Sequence, residues 1–133
     1  MTTSTHGTTR LQHVRFLRNS TLINQSHLDE LTIIGAGGVG SALVMNAAIM
    51  GFKCIHIWDF DMLENHNLST TTYPEEYLGM PKVDAAQKQA VFYNSKVKVY
   101  AHNEKWVQGK YLSPNVMMAP DNMEVRYGVY LDW

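Results

Sequence analysis

The stretch Leu31-Thr-Ile-Ile-Gly-Ala-Gly-Gly-Val-Gly-Ser41 limits what this chain can fold into more than any other. Leu31 to Ile34 are apolar or β-branched and read as a short buried strand. Gly35, Gly37 and Gly40 then supply a Gly-x-Gly-x-x-Gly spacing, with Gly38 inside it, and Ser41-Ala-Leu-Val-Met45 opens a helix. Each glycine answers a different need: a tight turn, close approach of backbone to phosphate, and close packing of helix on strand. The free N–H groups and the dipole at such a helix start suit a polyphosphate. Glycine-rich turns also occur as plain punctuation. Placement between a strand and a helix is what makes this one a nucleotide motif.

The segments around it extend the same pattern. The helix from Ser41 ends near Gly51, a residue suited to a helix terminus. Cys54-Ile-His-Ile-Trp-Asp59 reads as a second strand. Asp59 falls roughly twenty residues past the glycine turn, where a dinucleotide fold puts a carboxylate on ribose hydroxyls. A strand-ending aspartate that caps a turn is the plainer reading. Asp61 to Gly79 is a polar connection far longer than the roughly six residues usual in such units, and loops of that kind are more often functional than idle. Pro81 then opens a helix at a position where proline is tolerated, with Val83, Ala86, Ala90 and Val91 as its apolar stripe. Lys82 sits in the first turn against the helix dipole, a placement better explained by a nearby anion.

Val97, Val99 and Ala101 alternate with polar partners in a third strand, and Asn115 to Ala119 suits a buried fourth. Between them Asn103 to Pro114 is polar, with Trp106 and Tyr111 expected to pack. Met123 to Arg126 begins a helix, while Tyr127 to Trp133 fits a helix or an edge strand. Upstream, residues 1–9 read as a frayed tail, and Leu11, Val14 and Leu17 recur at a spacing that suggests a short helix. Arg15 and Arg18 fall one turn apart there, a solvated basic edge on the plain reading. The order β-α-β-loop-α-β-β predicts an α/β domain over residues 10–133. It is Rossmann-like, an open, mainly parallel sheet with helices on both faces. Its strand ends gather Gly37, Asp59, Asp61 and Asp121 on the edge where such sheets bind ligands.

Composition narrows the class further. Eleven basic and twelve acidic residues nearly cancel, so no overall field steers the chain to nucleic acid or an anionic membrane. The apolar run from Ala42 to Phe52 is too short to span a bilayer. One cysteine, Cys54, among 133 residues fits a reducing, cytoplasmic setting. The six histidines lack paired metal-ligand spacing, and Cys54 and His56 read as packing residues within a strand.

Several blocks together resemble the ThiF/MoeB/HesA family, the adenylating domain of ubiquitin-activating-type enzymes. They are Gly35-Ala-Gly-Gly-Val-Gly-Ser41, Asp59-Phe-Asp61, Glu64-Asn-His-Asn67-Leu68, Gly79-Met-Pro-Lys82 and Asp121-Asn-Met-Glu-Val-Arg126. The resemblance covers about residues 10–126 and implies an ATP- and Mg2+-dependent adenylyltransferase. Such an enzyme activates the C-terminal carboxylate of a small ubiquitin-like or sulfur-carrier protein as an acyl-adenylate. It further implies that Gly35, Gly37, Gly38 and Gly40 lie under the nucleotide and that Asp59, beside Asp61, holds the ribose. Asn67 and Lys82 then contact phosphates, Asp121 is the magnesium-associated acid, and Arg18, with Arg15, reaches into a partner subunit of a homodimer. Attack of a carboxylate on a phosphate needs positioning and cationic stabilisation more than a covalent nucleophile. Magnesium prefers one or two carboxylates plus phosphate oxygens.

The chain also departs from that family. Where members continue the Asn-Leu block with Arg-Gln, this sequence has Ser69-Thr70-Thr71-Thr72. A lost charge-assisted contact in a closed site costs about 2–4 kcal/mol of transition-state stabilisation. Cys-x-x-Cys pairs and a downstream catalytic cysteine are absent, and the chain stops where members continue with further strands. Two other readings share the glycine turn. A NAD- or FAD-binding Rossmann domain gives no role to Lys82 or Asp121. An inactive interaction module of the same fold would use Trp106, Tyr127, Tyr130 and Trp133 as exposed anchors.

Overall fold

The computed structural model describes residues 15–120 and 123–133, so the expected tail over 1–9, Leu11, Val14 and Asp121 lie outside the described residues. Four strands form one parallel sheet: β1 (Glu30–Ile34), β2 (Cys54–Trp58), β3 (Lys98–His102) and β4 (Asn115–Met118), in the order β3-β2-β1-β4. Glu30 pairs with Cys54 and Ile34 with Trp58, so β1 and β2 end level. Gly35 and Asp59 therefore emerge side by side.

Alternation along the strands sorts their residues onto two faces. Leu31, Ile33, Ile55 and Ile57 meet helices α1 (Gly38–Met50) and α2 (Lys82–Tyr93) in the larger core, where Val44, Ala47, Ala48, Val83, Ala85, Ala86 and Ala90 are buried. Small alanines let both helices come close to the sheet and to each other. On the opposite face Ile34 and Trp58 pack with Trp106 and with Val125 and Val129 of α3 (Met123–Asp132). Helices thus cover both faces, as the alternation of elements requires.

Several details differ from the sequence reading. α1 begins at Gly38 rather than Ser41, because the glycines themselves supply its first turn. Val91 is exposed, and Ala85 and Gln89 complete the buried stripe of α2 instead. Leu17 lies half-exposed in a 3-10 turn, Leu17–Asn19. The C-terminal segment is helical as far as Asp132. Trp106 is buried at 2% exposure and so is no surface anchor, whereas Tyr127, Tyr130 and Trp133 are exposed.

The long connection folds back over the glycine turn rather than standing free of it. It contains two 3-10 turns, Asn65–Ser69 and Glu75–Tyr77. The Tyr73 hydroxyl donates to the Ala36 carbonyl at 2.8 Å and is buried. Burial, and after it the charge of Asp59, pushes that hydroxyl above its ordinary pKa, so it remains a donor. Ser41 Oγ accepts from Thr72 N at 3.1 Å, Gln89 Nε2 donates to Ser41 O at 2.9 Å, and Thr72 Oγ1 donates to Gln89 Oε1 at 2.7 Å. Buried polar groups of this kind fix one arrangement because leaving any of them unpaired is costly.

The helix start is locked by contact. A Cβ on Gly40 would lie 1.8 Å from the Gly35 carbonyl oxygen, so Gly40→Ala is expected to cost about 3 kcal/mol or more, the upper range for overpacking. Tyr73→Phe is expected to cost about 1 kcal/mol through the lost hydrogen bond to Ala36. Urea unfolding of both variants, followed by circular dichroism, checks the two values and their order.

Candidate functional site

A cleft of about 460 Å3 opens at the C-terminal ends of β1 and β2. Its floor is backbone: Gly35, Gly37 and Gly38 at the head of α1. Gly35 has φ +97, and a Cβ there would sit 2.7 Å from the Ala119 carbonyl oxygen. Only glycine satisfies both conditions. Gly37 stands before the first turn with open space above it, since a Cβ there would meet nothing within 4 Å. The helix therefore presents unblocked N–H groups and its positive end to the cleft, the arrangement an anion needs. A Cβ on Gly38 would come within 2.9 Å of Thr70 O. Gly38 is thus where the long loop crosses the helix start.

Asp59 ties the two walls together. Its Oδ2 accepts from Ala36 N at 2.8 Å, and its Oδ1 accepts from Asp61 N at 2.8 Å. One carboxylate so fixes both the glycine turn and the start of the long loop. The turn-capping reading and the ligand reading are compatible: a carboxylate accepts about four hydrogen bonds, and two remain.

Lys82 opens α2 directly beneath Asp61. Its N–H donates to Asp61 O at 2.9 Å, and its Nζ stands 3.7 Å from Asp61 Oδ2. The lysine side chain is 11% exposed while that of Asp61 is 57% exposed. Among the described residues this long ion pair is the only partner of Nζ, so its three donors stay available to a ligand. Proline at position 81 forces the approach: lacking an N–H and holding an extended backbone, it delivers Lys82 to the cleft at the first helical position.

The structure thus brings together Gly35, Gly37, Gly38, Asp59, Asp61 and Lys82. Gly40 lies one layer below, against Gly35. Asn67 does not line the cleft: its Oδ1 accepts from Glu64 N at 2.9 Å in a reciprocal cap of the 3-10 turn. Thr70 and Thr71 likewise turn their hydroxyls back to Asn67 O. Arg18 is exposed outside the cleft, and Arg15 donates to Tyr93 O at the far end of α2. Wall residues that sequence reasoning did not assign to the site include Phe60, Lys105, Trp106 and Trp58. Trp58 Nε1 is buried with no acceptor among the described residues. Lys105 was hidden in a segment with no periodicity, although its neighbour Trp106 signalled that the segment must pack.

The chain is 34% identical over 105 residues to the adenylyltransferase and sulfurtransferase MOCS3-2 of Zea mays, covering 73% of this chain and 21% of that protein. It is 28% identical over 95 residues to SUMO-activating enzyme subunit 2 of Dictyostelium discoideum, covering 71% and 14%. It spans no more than about a fifth of either. Among solved structures, E. coli MccB with ATP superposes with a TM-score of 0.57 at 27% identity, over 59% of this chain and 25% of that one. The ThiF family model matches residues 16–130. With its parallel sheet, glycine turn and Lys82-headed second helix, the chain belongs to the ThiF family.

Proposed function

We propose that the chain is an ATP-dependent adenylyltransferase domain that activates the C-terminal carboxylate of a small ubiquitin-like or sulfur-carrier protein. The observation that carries this reading is Lys82, a nearly buried ammonium with unused donors, facing the open helix start at Gly37 across one cleft. A nicotinamide site has no need of a cation there. The functions of the relatives, an adenylyltransferase and a SUMO-activating subunit, and the ATP of MccB support the same choice.

The cleft fits a nucleotide on its own chemistry. Its volume falls within the roughly 300–1,000 Å3 of small-molecule sites. Gly35, Gly37 and Gly38 offer backbone to the phosphates, and the free lone pairs of Asp59 accept ribose hydroxyls. The unpaired Trp58 N–H gains an acceptor if the ligand supplies one. Lys82, with Lys105 of the same cleft, offsets the negative charge that builds up as a carboxylate attacks the α-phosphate and pyrophosphate leaves. Mg2+ would screen the same charge, held by Asp121 and by the exposed carboxylate of Asp61 together with phosphate oxygens.

Arg15 and Phe16 dock near the C-terminal ends of the helices, Arg15 on Tyr93 and Phe16 against Gly51. α1, of 13 residues, spans about 20 Å, which puts that end far from the chain's own cleft. In our reading Arg18 therefore serves the cleft of a second copy in a cytoplasmic homodimer. Asn67 contributes by shaping the loop beside the phosphates.

Calorimetric titration with Mg-ATP and, separately, with NAD tests the reading. Selective binding of Mg-ATP is expected, weakened at least tenfold, about 1.4 kcal/mol, in Lys82→Met, which keeps the buried stem but not the charge. Asp121→Ala is expected to weaken binding in the presence of Mg2+ and to have little effect without it. Selective NAD binding, or Mg-ATP affinity unchanged in Lys82→Met, would count against adenylation.

A further inference from the structure

The opposite edge of the sheet holds a second cluster of chemically active groups. Glu30 and Cys54 are register partners at the first positions of β1 and β2. His56, two residues along β2, points to the same side as Cys54. A carboxylate oxygen of Glu30, Sγ of Cys54 and a ring nitrogen of His56 all lie within 4.8 Å of one another. Glu30 and Cys54 are half-buried and His56 is buried.

Neighbouring groups hold these side chains in place. His56 Nε2 is 2.8 Å from Glu30 Oε1, and its Nδ1 is 3.1 Å from Nε2 of His102. The imidazole lies between aromatic rings, stacked on Tyr100 at 4.7 Å and tilted against Tyr111 at 4.9 Å. Glu30 also acts on Tyr111, whose hydroxyl pKa it raises. Outer contacts of this kind orient a ligating histidine and carboxylate.

Two plainer roles fit less well. A cysteine nucleophile needs a ring nitrogen facing the thiol, and both nitrogens of His56 are engaged elsewhere. Burial, and then the charge of Glu30, pushes the Cys54 thiol up, away from a reactive thiolate. A simple Glu30–His56 hydrogen bond leaves the sulfur beside it without a role.

The geometry points to a transition-metal site, taking Zn2+ by preference, formed by Glu30, Cys54 and His56 with water in a fourth position. Sulfur, imidazole and carboxylate together suit zinc and not magnesium or calcium. Ligand atoms about 2.0–2.3 Å from a tetrahedral zinc lie roughly 3.5 Å apart, so side-chain rotations of about an ångström bring the three into place. The metal takes the place of the proton shared by His56 Nε2 and Glu30, and Cys54 gives up its thiol proton to solvent. Nδ1 of His56 then carries the ring proton and donates to His102. Two anionic ligands neutralise the divalent charge. Lys98, the register partner of Cys54 with its Nζ 5.2 Å from the Tyr100 ring centroid, favours the thiolate. The site clasps β1 to β2 toward the N-terminal end of the sheet, with Glu30 and Cys54 about 13–17 Å, one strand length, from the nucleotide cleft and His56 two residues, about 7 Å, from Trp58 of its wall. Its three ligands are none of the groups assigned to the nucleotide, so it is a structural clasp with a role separate from adenylation.

Cys54 is the sole cysteine, so thiolate-to-metal absorption has one source. Titration of the full chain with Co2+ is expected to give one equivalent of binding with a thiolate-to-cobalt charge-transfer band that Zn2+ displaces. Saturating Zn2+ is expected to slow alkylation of Cys54 in the unsubstituted chain at least about tenfold and to raise its thermal midpoint. Cys54→Ser abolishes the band, Glu30→Gln weakens Co2+ binding about tenfold or more, and Lys82→Met changes neither. Co2+ binding without the band, alkylation indifferent to Zn2+, or equal Zn2+ affinity in folded Cys54→Ser would overturn the site.

Discussion

The close approach of α1 to the carbonyl of Gly35 is the constraint on which the rest of the structure depends. Any side chain at position 40 would collide with that oxygen, so helix and turn meet backbone to backbone. Gly35 in turn takes a left-handed conformation pressed on the Ala119 carbonyl beyond β4. The adjacent helix start and the distant segment beyond β4 thus converge on one turn made almost wholly of peptide groups. A cleft floored by backbone has no side chain to swing into it, and its free N–H groups keep a fixed direction. That rigidity is what a phosphate site needs, because donors that are already aimed lose little on binding.

The long connection does more to hold this floor than to line the cleft. Tyr73 bonds Ala36, Thr72 joins Ser41 and Gln89, and Thr70 lies against Gly38. Asn67, Thr70 and Thr71 spend their polar atoms on the loop itself. The loop therefore works as a strap. After its Asn-Leu block this chain turns the Thr70 and Thr71 hydroxyls inward to Asn67. Cationic character in the cleft then falls to Lys82 and Lys105. The first is held by α2, and the second follows β3 beside buried Trp106.

The two edges of the sheet have become chemically different places. At the C-terminal edge a carboxylate, Asp59, is held by backbone donors and a lysine is buried with spare donors, which suits an anionic ligand. At the N-terminal edge carboxylate, thiol and imidazole meet under aromatic cover, which suits a cation. Parallel register is the cause of both. Level strands bring the first residues of each strand together at one edge and those after it together at the other.

Much of this was legible in the chain itself. The glycine spacing, Asp59 at the end of an apolar run, and proline before Lys82 are local signals, because each rests on backbone stereochemistry that neighbours in sequence decide. They placed the turn, the fold class and the residues that meet at the floor of the cleft. Other features depended on contacts between distant segments. Position 91 looked as apolar as position 90, and only the angle at which α2 meets α1 and the sheet buries Ala90 and leaves Val91 in solvent. Trp106 sat in a stretch without periodicity, and its burial came from α3 closing over the second face. Glu30 stands 24 positions from Cys54, and no local pattern joins them. Strand pairing does, since register is set by the whole hydrophobic face and not by the residues that come to share an edge.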